Sequence, residues 1–323
     1  MTGPPYHRGV FDRLRCSPRL VTGLALAAVV ANTVIVVTGA LVRLTGSGLG
    51  CPSWPRCGGS SFVTTPQYGI HGVIEFGNRA LTFVLAAVVG ACIVATTLQR
   101  PRRRDLTLLA WGLFAGVAAQ GVLGGITVLT HLNPWIVAGH FLVSMALIAA
   151  AVALHVRSMT PEGPTRPVGP PQVAWLGRAV VTVTAAVLVL GTMVTGSGPH
   201  GGDRLVARTG FDPAAVSQLH ANAVMLLIGL TAATMLVLRL TRAQRRAQTA
   251  AALLASAELA QGAVGYLQYF TDLPVGLVAV HVLGSCLVWL AAVYLFFAIR
   301  EPAGSADPEQ SALSATSAGV PAR

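Results

Sequence analysis

Apolar residues gather along this chain in eight stretches, near 20–42, 72–97, 106–129, 136–156, 173–195, 214–238, 249–270 and 275–298, separated by short segments in which Arg, Pro and Gly concentrate. A helix needs ~20 apolar residues to cross the hydrocarbon of a bilayer, so the pattern predicts an all-α integral membrane protein of eight transmembrane helices. Arg8, Arg13, Arg15 and Arg19 precede the first stretch, as in a signal peptide. Its apolar run exceeds the ~7 to 15 residues of a cleavable core, which predicts an uncleaved helix.

Composition supports this class and removes others. Of the 323 residues 54% are hydrophobic and only 10% charged, against ~25% charged residues in soluble domains, which excludes a soluble globule. A net charge of +11 invites a nucleic-acid reading, but such a reader gathers its basic residues on one face or motif. Here they form small clusters between spans, so the expected surroundings are membrane lipid and no nucleic acid. The 22 basic residues are all Arg, which reads as coding bias. Most of them lie in the N-terminal segment, at 100–104, 157–178 and 239–246, and in the C-terminal tail; Arg43, Arg56, Arg204 and Arg208 alone lie in the opposite set of connections. The positive-inside rule then puts both termini in the cytoplasm of a multi-pass cell-membrane protein.

The chain repeats itself. The segment beginning at Gln120 matches that beginning at Gln261 without a gap, pairing Gly121 with Gly262, Gly124 with Gly265, Thr130 with Thr271, His140 with His281 and Ser144 with Ser285. Thr45-Gly46-Ser47-Gly48 is matched by Thr195-Gly196-Ser197-Gly198. Four helices per repeat make the halves two parallel homologous four-helix bundles. The expected organisation is an N-terminal half over 1–159, a Pro- and Gly-rich cytoplasmic linker over 160–171, a C-terminal half over 172–300 and a disordered tail over 301–323.

Three His fall inside spans: His140, His220 and His281, each within roughly two turns of the outer helix end. A lone His of this kind is often a core residue bonded across helices. Here two are related by the repeat and two share one half, which favours a shared ligand. Imidazoles projecting inward between helices suit haem iron, with neighbouring glycines leaving room for the macrocycle. Zinc fits less well, since a tetrahedral site needs further ligands at the same depth and the C-terminal half offers only Glu258, nearer the membrane middle. His220 and His281 are 61 residues apart, and counting 62 back from His140, one residue more than that spacing, reaches Asn78, in the string Glu75-Phe76-Gly77-Asn78-Arg79. Polar groups this dense inside a span mark function by default; the structural alternative is an i,i+4 ion pair of Glu75 with Arg79. Cys51 and Cys57 lie in the outer loop after the first helix, where an oxidising compartment permits a disulfide. Their spacing leaves structural and redox-active readings open. Cys16, Cys92 and Cys286 read as packing or cytoplasmic residues. His71, on the face of Asn78, is a candidate to reach a ligand from the outer side, and His131, His155 and His200 read as ordinary surface residues.

With these features in place the chain resembles the haem A synthase family over residues 20 to 298. The most specific strings are Arg43-Leu44-Thr45-Gly46-Ser47-Gly48-Leu49-Gly50-Cys51-Pro52, Gln120-Gly121-Val122-Leu123-Gly124-Gly125 and Leu132-Asn133-Pro134-Trp135. The resemblance implies oxidation of the C8 methyl of haem O to a formyl group by successive hydroxylations, with haem b as the iron cofactor. It implies His220 and His281 as ligands of the cofactor iron, and a substrate haem in the N-terminal half at His140, Asn78 and Arg79, with Glu75 needed for turnover. Where the family has His, this chain has Asn78, leaving His140 as the one strong axial bond to the substrate metal. Haem O synthase, the terminal oxidase assembly and an unspecified electron donor are the implied partners. The rival function is a membrane b-type cytochrome that only transfers electrons, and it is disfavoured because every ligand candidate lies near one face. A transporter would show paired helix breaks at the midplane, and the sequence has none.

Overall fold

The computed structural model describes residues 16–203 and 206–303. Within them lie eight helices: α1 Pro18–Leu44, α2 Gly69–Leu98, α3 Arg104–Leu129, α4 Pro134–Ser158, α5 Pro171–Ser197, α6 Pro213–Leu240, α7 Arg245–Phe270 and α8 Val275–Ala298. Each is long and apolar enough to cross a membrane, with mean hydropathy ranging from 2.4 in α1 to 1.2 in α7. Most begin ahead of the apolar stretch that announced them, because capping fixes a helix end and hydropathy does not. The Ser17 hydroxyl accepts from Leu20 N–H before Pro18, the Asn133 carbonyl from Trp135 N–H before Pro134, and the Asp212 carboxylate from Ala214 and Ala215 N–H before Pro213. In each case a side-chain oxygen satisfies an otherwise orphaned donor, and Pro opens the first turn without losing a bond.

Helix α1 packs against α2 and α4, and α3 against the same two; α5 packs against α6 and α8, and α7 against those. Helices α2 and α4 therefore stand diagonally across one group of four, and α6 and α8 across the other. Helix α8 also lies against α1 and α4, and α4 against α5. Lipid tails are as apolar as Leu, so close packing holds such contacts; Ala25, Ala28, Ala110 and Ala151 in one group and Ala247, Ala250 and Ala251 in the other are fully buried. Polar ties also cross between the groups: Trp289 Nε1–H donates to Met145 O at 2.7 Å, and Arg43 Nη2–H of α1 donates to Thr195 O of α5 at 3.1 Å.

The α3–α4 and α7–α8 turns share an unusual backbone. His131 and Leu132, and Asp272 and Leu273, all have φ between 51° and 59°, and the Leu N–H donates to Thr127 O in one turn and Gln268 O in the other, both at 2.8 Å. The Thr-Gly-Ser-Gly match does not extend to structure. Helix α1 stops at Leu44, with Gly46 at φ 66°, whereas α5 continues through Thr195, Gly196 and Ser197.

The tail is not disordered from its first residue: Arg300–Pro302 (β2) pairs antiparallel with Thr165–Pro167 (β1) of the linker, and Arg166 Nε lies 2.9 Å from Glu301 Oε1. The pairing gives two Pro-flanked segments a place for their backbone groups at the end of the molecule where the Arg clusters lie. The rest of the tail, and Arg8, Arg13 and Arg15, lie outside the described residues.

Candidate functional site

The three half-buried His of the spans and Asn78 each occupy an even-numbered helix, and each faces a glycine on the helix before it. A Cβ placed on Gly124 of α3 would stand 3.4 Å from His140 Cε1, on Gly191 of α5 3.4 Å from His220 Cε1, and on Gly265 of α7 3.2 Å from His281 Cε1; on Gly39 of α1 it would stand 3.6 Å from Asn78 Nδ2. The glycines therefore make room for the side chains themselves, where the sequence suggested room for a macrocycle. Sequence reading missed this role, although the equal spacing of Gly124 from His140 and Gly265 from His281 was there to find. A second repeated contact holds the backbone of two of these residues. Gln120 Nε2–H donates to His140 O and Gln261 Nε2–H to His281 O, each at 2.8 Å.

His220 and His281 sit on the diagonal pair α6 and α8, so their rings approach the interior from opposite sides. His220 Nδ1–H donates to Val187 O at 3.1 Å, which fixes the ring and leaves Nε2 with its lone pair, the arrangement of a metal-binding imidazole. His281 Nδ1 and its repeat counterpart His140 Nδ1 are buried without a hydrogen-bond partner. Buried polar atoms are nearly always satisfied, so these two orphans suit side chains that complete their contacts with an added group. The donor set of two imidazoles on diagonal helices fits a haem iron. Among the described residues no three His, Cys, Asp or Glu converge, as a zinc site would require.

Across the other diagonal the partners differ. Asn78 Oδ1 accepts from Thr38 Oγ1–H at 2.7 Å, which ties the amide to α1. Glu75, one turn nearer the helix start and 5% exposed, turns to the Cys loop. Its Oε2 accepts from Cys51 N–H and its Oε1 from Arg79 Nη2–H, both at 2.6 Å. Arg79 Nε–H also donates to Glu75 Oε1, and its Nη1 and Nη2 groups donate to the carbonyls of Ser53, Arg56 and Cys51. The ion pair named as the structural alternative is thus present, and it anchors the loop that Cys51 and Cys57 close by a disulfide. Trp54 of this loop packs over Gly125 of α3, placing the loop across the end of the first four helices away from the Arg clusters.

The remaining candidates are placed as follows. His71 Nδ1 is 2.8 Å from Ser47 Oγ, a contact with the segment after α1. Two His expected at the surface tie elements together: His155 Nδ1–H donates to Thr22 O, and His200 Nε2–H to Leu273 O. The carbonyl of His200 accepts from Arg43 Nε–H at 2.6 Å, which locks the end of α1 onto the α5–α6 loop. Glu258 is buried on α7 and accepts from Thr231 Oγ1–H at 2.7 Å.

Comparison with known proteins bears on this arrangement. The model of a family described as cytochrome oxidase assembly protein (COX15-CtaA) matches residues 22–200, more than half of the chain. A protein named heme A synthase from Lysinibacillus sphaericus is 34% identical over 141 residues, 43% of this chain and 45% of that protein. One of the same name from Bacillus licheniformis is 30% identical over 137 residues, 42% and 44% of the two chains, and one from Symbiobacterium thermophilum is 34% identical over 138 residues, 41% and 44%. The chain thus aligns with just under half the length of these curated relatives. The family match includes Cys51, Cys57, Glu75, Asn78, Arg79 and His140, and stops before His220 and His281, which are joined to it by the internal repeat. The chain belongs to the cytochrome oxidase assembly protein family.

Proposed function

We propose that this protein is a haem A synthase, oxidising the C8 methyl of haem O to a formyl group by successive hydroxylations, with haem b as cofactor. The observation that carries the reading is the fourfold placement of a ligand-type side chain against a glycine, filled by two imidazoles in one group of helices and by an imidazole and an amide in the other. A pair of imidazoles suits a permanent group; a single imidazole suits a substrate that must enter and leave.

In this reading His220 and His281 hold the cofactor from α6 and α8, and the Val187 carbonyl keeps His220 in the tautomer that presents Nε2. Haem b bound there supplies a redox-active iron. His140 would hold the substrate porphyrin by its imidazole, and the Asn78 amide, steadied by Thr38, would line the same site. Arg79 acts by holding the disulfide loop over the substrate. Glu75, the one buried acid of α1 to α4 among the described residues, accepts or returns protons at the oxidised carbon. The Arg-rich ends of the helices face the cytoplasm of the cell membrane, with haem O synthase, the terminal oxidase assembly and an electron donor as partners.

Acid extraction of haems from the purified protein, followed by chromatography, tests the reading. Haem b together with haem O or haem A is expected. Haem b alone, with no conversion of added haem O, would leave only the electron-transferring cytochrome, and a colourless protein would overturn both.

A further inference from the structure

Each half of the chain buries one carboxylate, and among the described residues only that of the first half has a cation beside it. Glu258 on α7 is 3% exposed, its hydrogen-bonding partner Thr231 on α6 is 1% exposed, and no ion pair joins it. The fold does not need this pair. By the offsets that relate His281 to His140 and His220 to Asn78, the equivalent residues are Val117 and Val89, which are 3% and 0% exposed. An unneutralised acid in a span is expensive and by default functional.

Its position says for what. Glu258 lies two turns from Gly265 on the same face of α7, about 10 Å further from the disulfide-loop side, and Gly265 is the residue on which His281 rests. Below the pair, the seam between α6 and α7 opens into a cleft of about 210 Å³ lined by Met235, Arg239, Gln248, Thr249 and Ala252. Met235 follows Thr231 by about one turn and Ala252 precedes Glu258 by about two, so the cleft opens toward the Arg-rich face and ends one to two turns short of the carboxyl. The first half carries Ile93, Thr97, Thr107, Leu108 and Trp111 at these positions. The difference appears in mean hydropathy, 1.2 for α7 against 1.7 for α3.

We propose that Glu258 is a proton acceptor, reached from the Arg-rich face through the α6–α7 seam, that takes up one proton when the group held by His220 and His281 gains one electron. The inference rests on the haem reading above. One electron from a one-electron donor takes the iron from ferric to ferrous, and one proton from the Arg-rich side converts the Glu258 carboxylate to the acid; reoxidation releases both. The added negative charge and the added proton cancel within an apolar interior, where charges interact more strongly than in water. The other titratable or charged groups on the helices packed against α7 are His220 and Arg239 on α6 and His281, Cys286 and Tyr294 on α8. The two His are the ligands, Cys286 is fully buried, and Arg239 and Tyr294 lie at the Arg-rich end, where Tyr294 meets Arg246.

The test is the midpoint potential of the haem in the purified protein, titrated spectroelectrochemically across neutral pH. It is expected to fall as pH rises, and to lose that dependence in Glu258→Gln, whose amide still accepts from Thr231. A potential independent of pH in the unaltered, haem-containing protein, or an unchanged dependence in the variant, overturns this inference and leaves the haem reading standing. A colourless protein overturns both. Should Glu258→Gln fail to accumulate, the reduced-minus-oxidised infrared spectrum of the unaltered protein decides. A carboxylic acid C=O band gained on reduction and shifted in D2O is expected, and its absence refutes the role. Ala252→Trp, which installs the residue of the first half in the cleft, is expected to slow that D2O shift; an unchanged rate removes the seam as the route.

Discussion

The two groups of four helices use the same devices to place side chains and differ in what they place. Both carry the paired left-handed residues before an even helix, the Gln clamp on a His carbonyl, and a glycine beneath each of His140, Asn78, His220 and His281. The second group fills its diagonal with His220 and His281 and buries its acid deep, without a cation. The first fills it with Asn78 and His140, and buries its acid beside Arg79, under a disulfide loop. Where Glu75 and Arg79 stand in α2, α6 has Ser217 and Ala221; where Glu258 and Thr231 stand, the first group has Val117 and Val89. A duplicated scaffold thus fixes location, and chemistry is assigned by exchanging residues at positions the scaffold holds constant.

The largest effect that would sharpen this contrast comes from removing ligands one half at a time. His220→Ala or His281→Ala is expected to lower haem b content by roughly tenfold or more, since loss even of a supporting contact to a metal ligand costs that much. His140→Ala is expected to leave the b-type absorbance in place and to abolish haem A formation. Normal haem content and spectrum in both C-terminal variants would dissolve the distinction between a cofactor half and a substrate half.

Glu75→Gln comes next. The amide keeps an oxygen for Cys51 N–H, so the loop and its disulfide should survive and the cofactor spectrum should be unchanged. A lost proton-transfer group costs about 100-fold or more in rate, so haem A formation should collapse with haem O or a hydroxylated intermediate accumulating. Full haem A production at normal protein level would return Glu75 to the role of loop anchor, which its bonds to Cys51 and Arg79 already supply. Mapping Cys51 and Cys57 in the same variant separates the two roles, because a failed anchor should expose free thiols and a failed base should not.

All eight spans and the repeat were legible in the sequence, because length, hydropathy and a gap-free match at constant offset are properties of the chain itself. The three interior His and Asn78 were legible for the same reason. What was not legible depends on which residue another one meets. Glu75 and Asn78 share a helix face at three-residue spacing, yet Glu75 reaches backward to the Cys51 amide while Asn78 bonds Thr38. Nothing in the linear order of α2 reveals that the loop returns over its start. His200 reads as a loop residue until Leu273 and Arg43, distant in the chain, are brought to either side of it. The Thr-Gly-Ser-Gly match misled in the opposite sense, since identical letters end a helix in one half and continue it in the other.

A smaller effect is expected at the glycines. Gly265→Ala would bring a methyl group to 3.2 Å from His281 Cε1, closer than neighbours normally tolerate. Overpacking of this kind costs about 1 kcal/mol or more, roughly fivefold in haem retention, and should move the absorbance maximum as the ring tilts. Gly262→Ala, on the same helix and with nothing within 4 Å of its added carbon, is the control and should behave as the unaltered protein. Equal behaviour of the two variants would mean that the glycine does not seat the ring.

The smallest effect on the protein itself is expected from Asn78→His, which makes the first half resemble the second. Gly39 lies beneath the Asn78 amide as Gly191 lies beneath His220, so space for a ring exists, and the Thr38 hydroxyl that now donates to Asn78 can turn to accept from an imidazole N–H. Stability should therefore change only modestly, by about 1 kcal/mol. The consequence should appear in what the protein retains. A second imidazole opposite His140 would give the substrate porphyrin two axial bonds, so the purified variant should carry more haem O or haem A than the unaltered protein and release product more slowly, with haem b content unchanged. If Asn78→His instead leaves both retention and release untouched, the amide is not what makes the first half the looser of the two, and the contrast between the halves would have to rest on Glu75 and the disulfide loop alone.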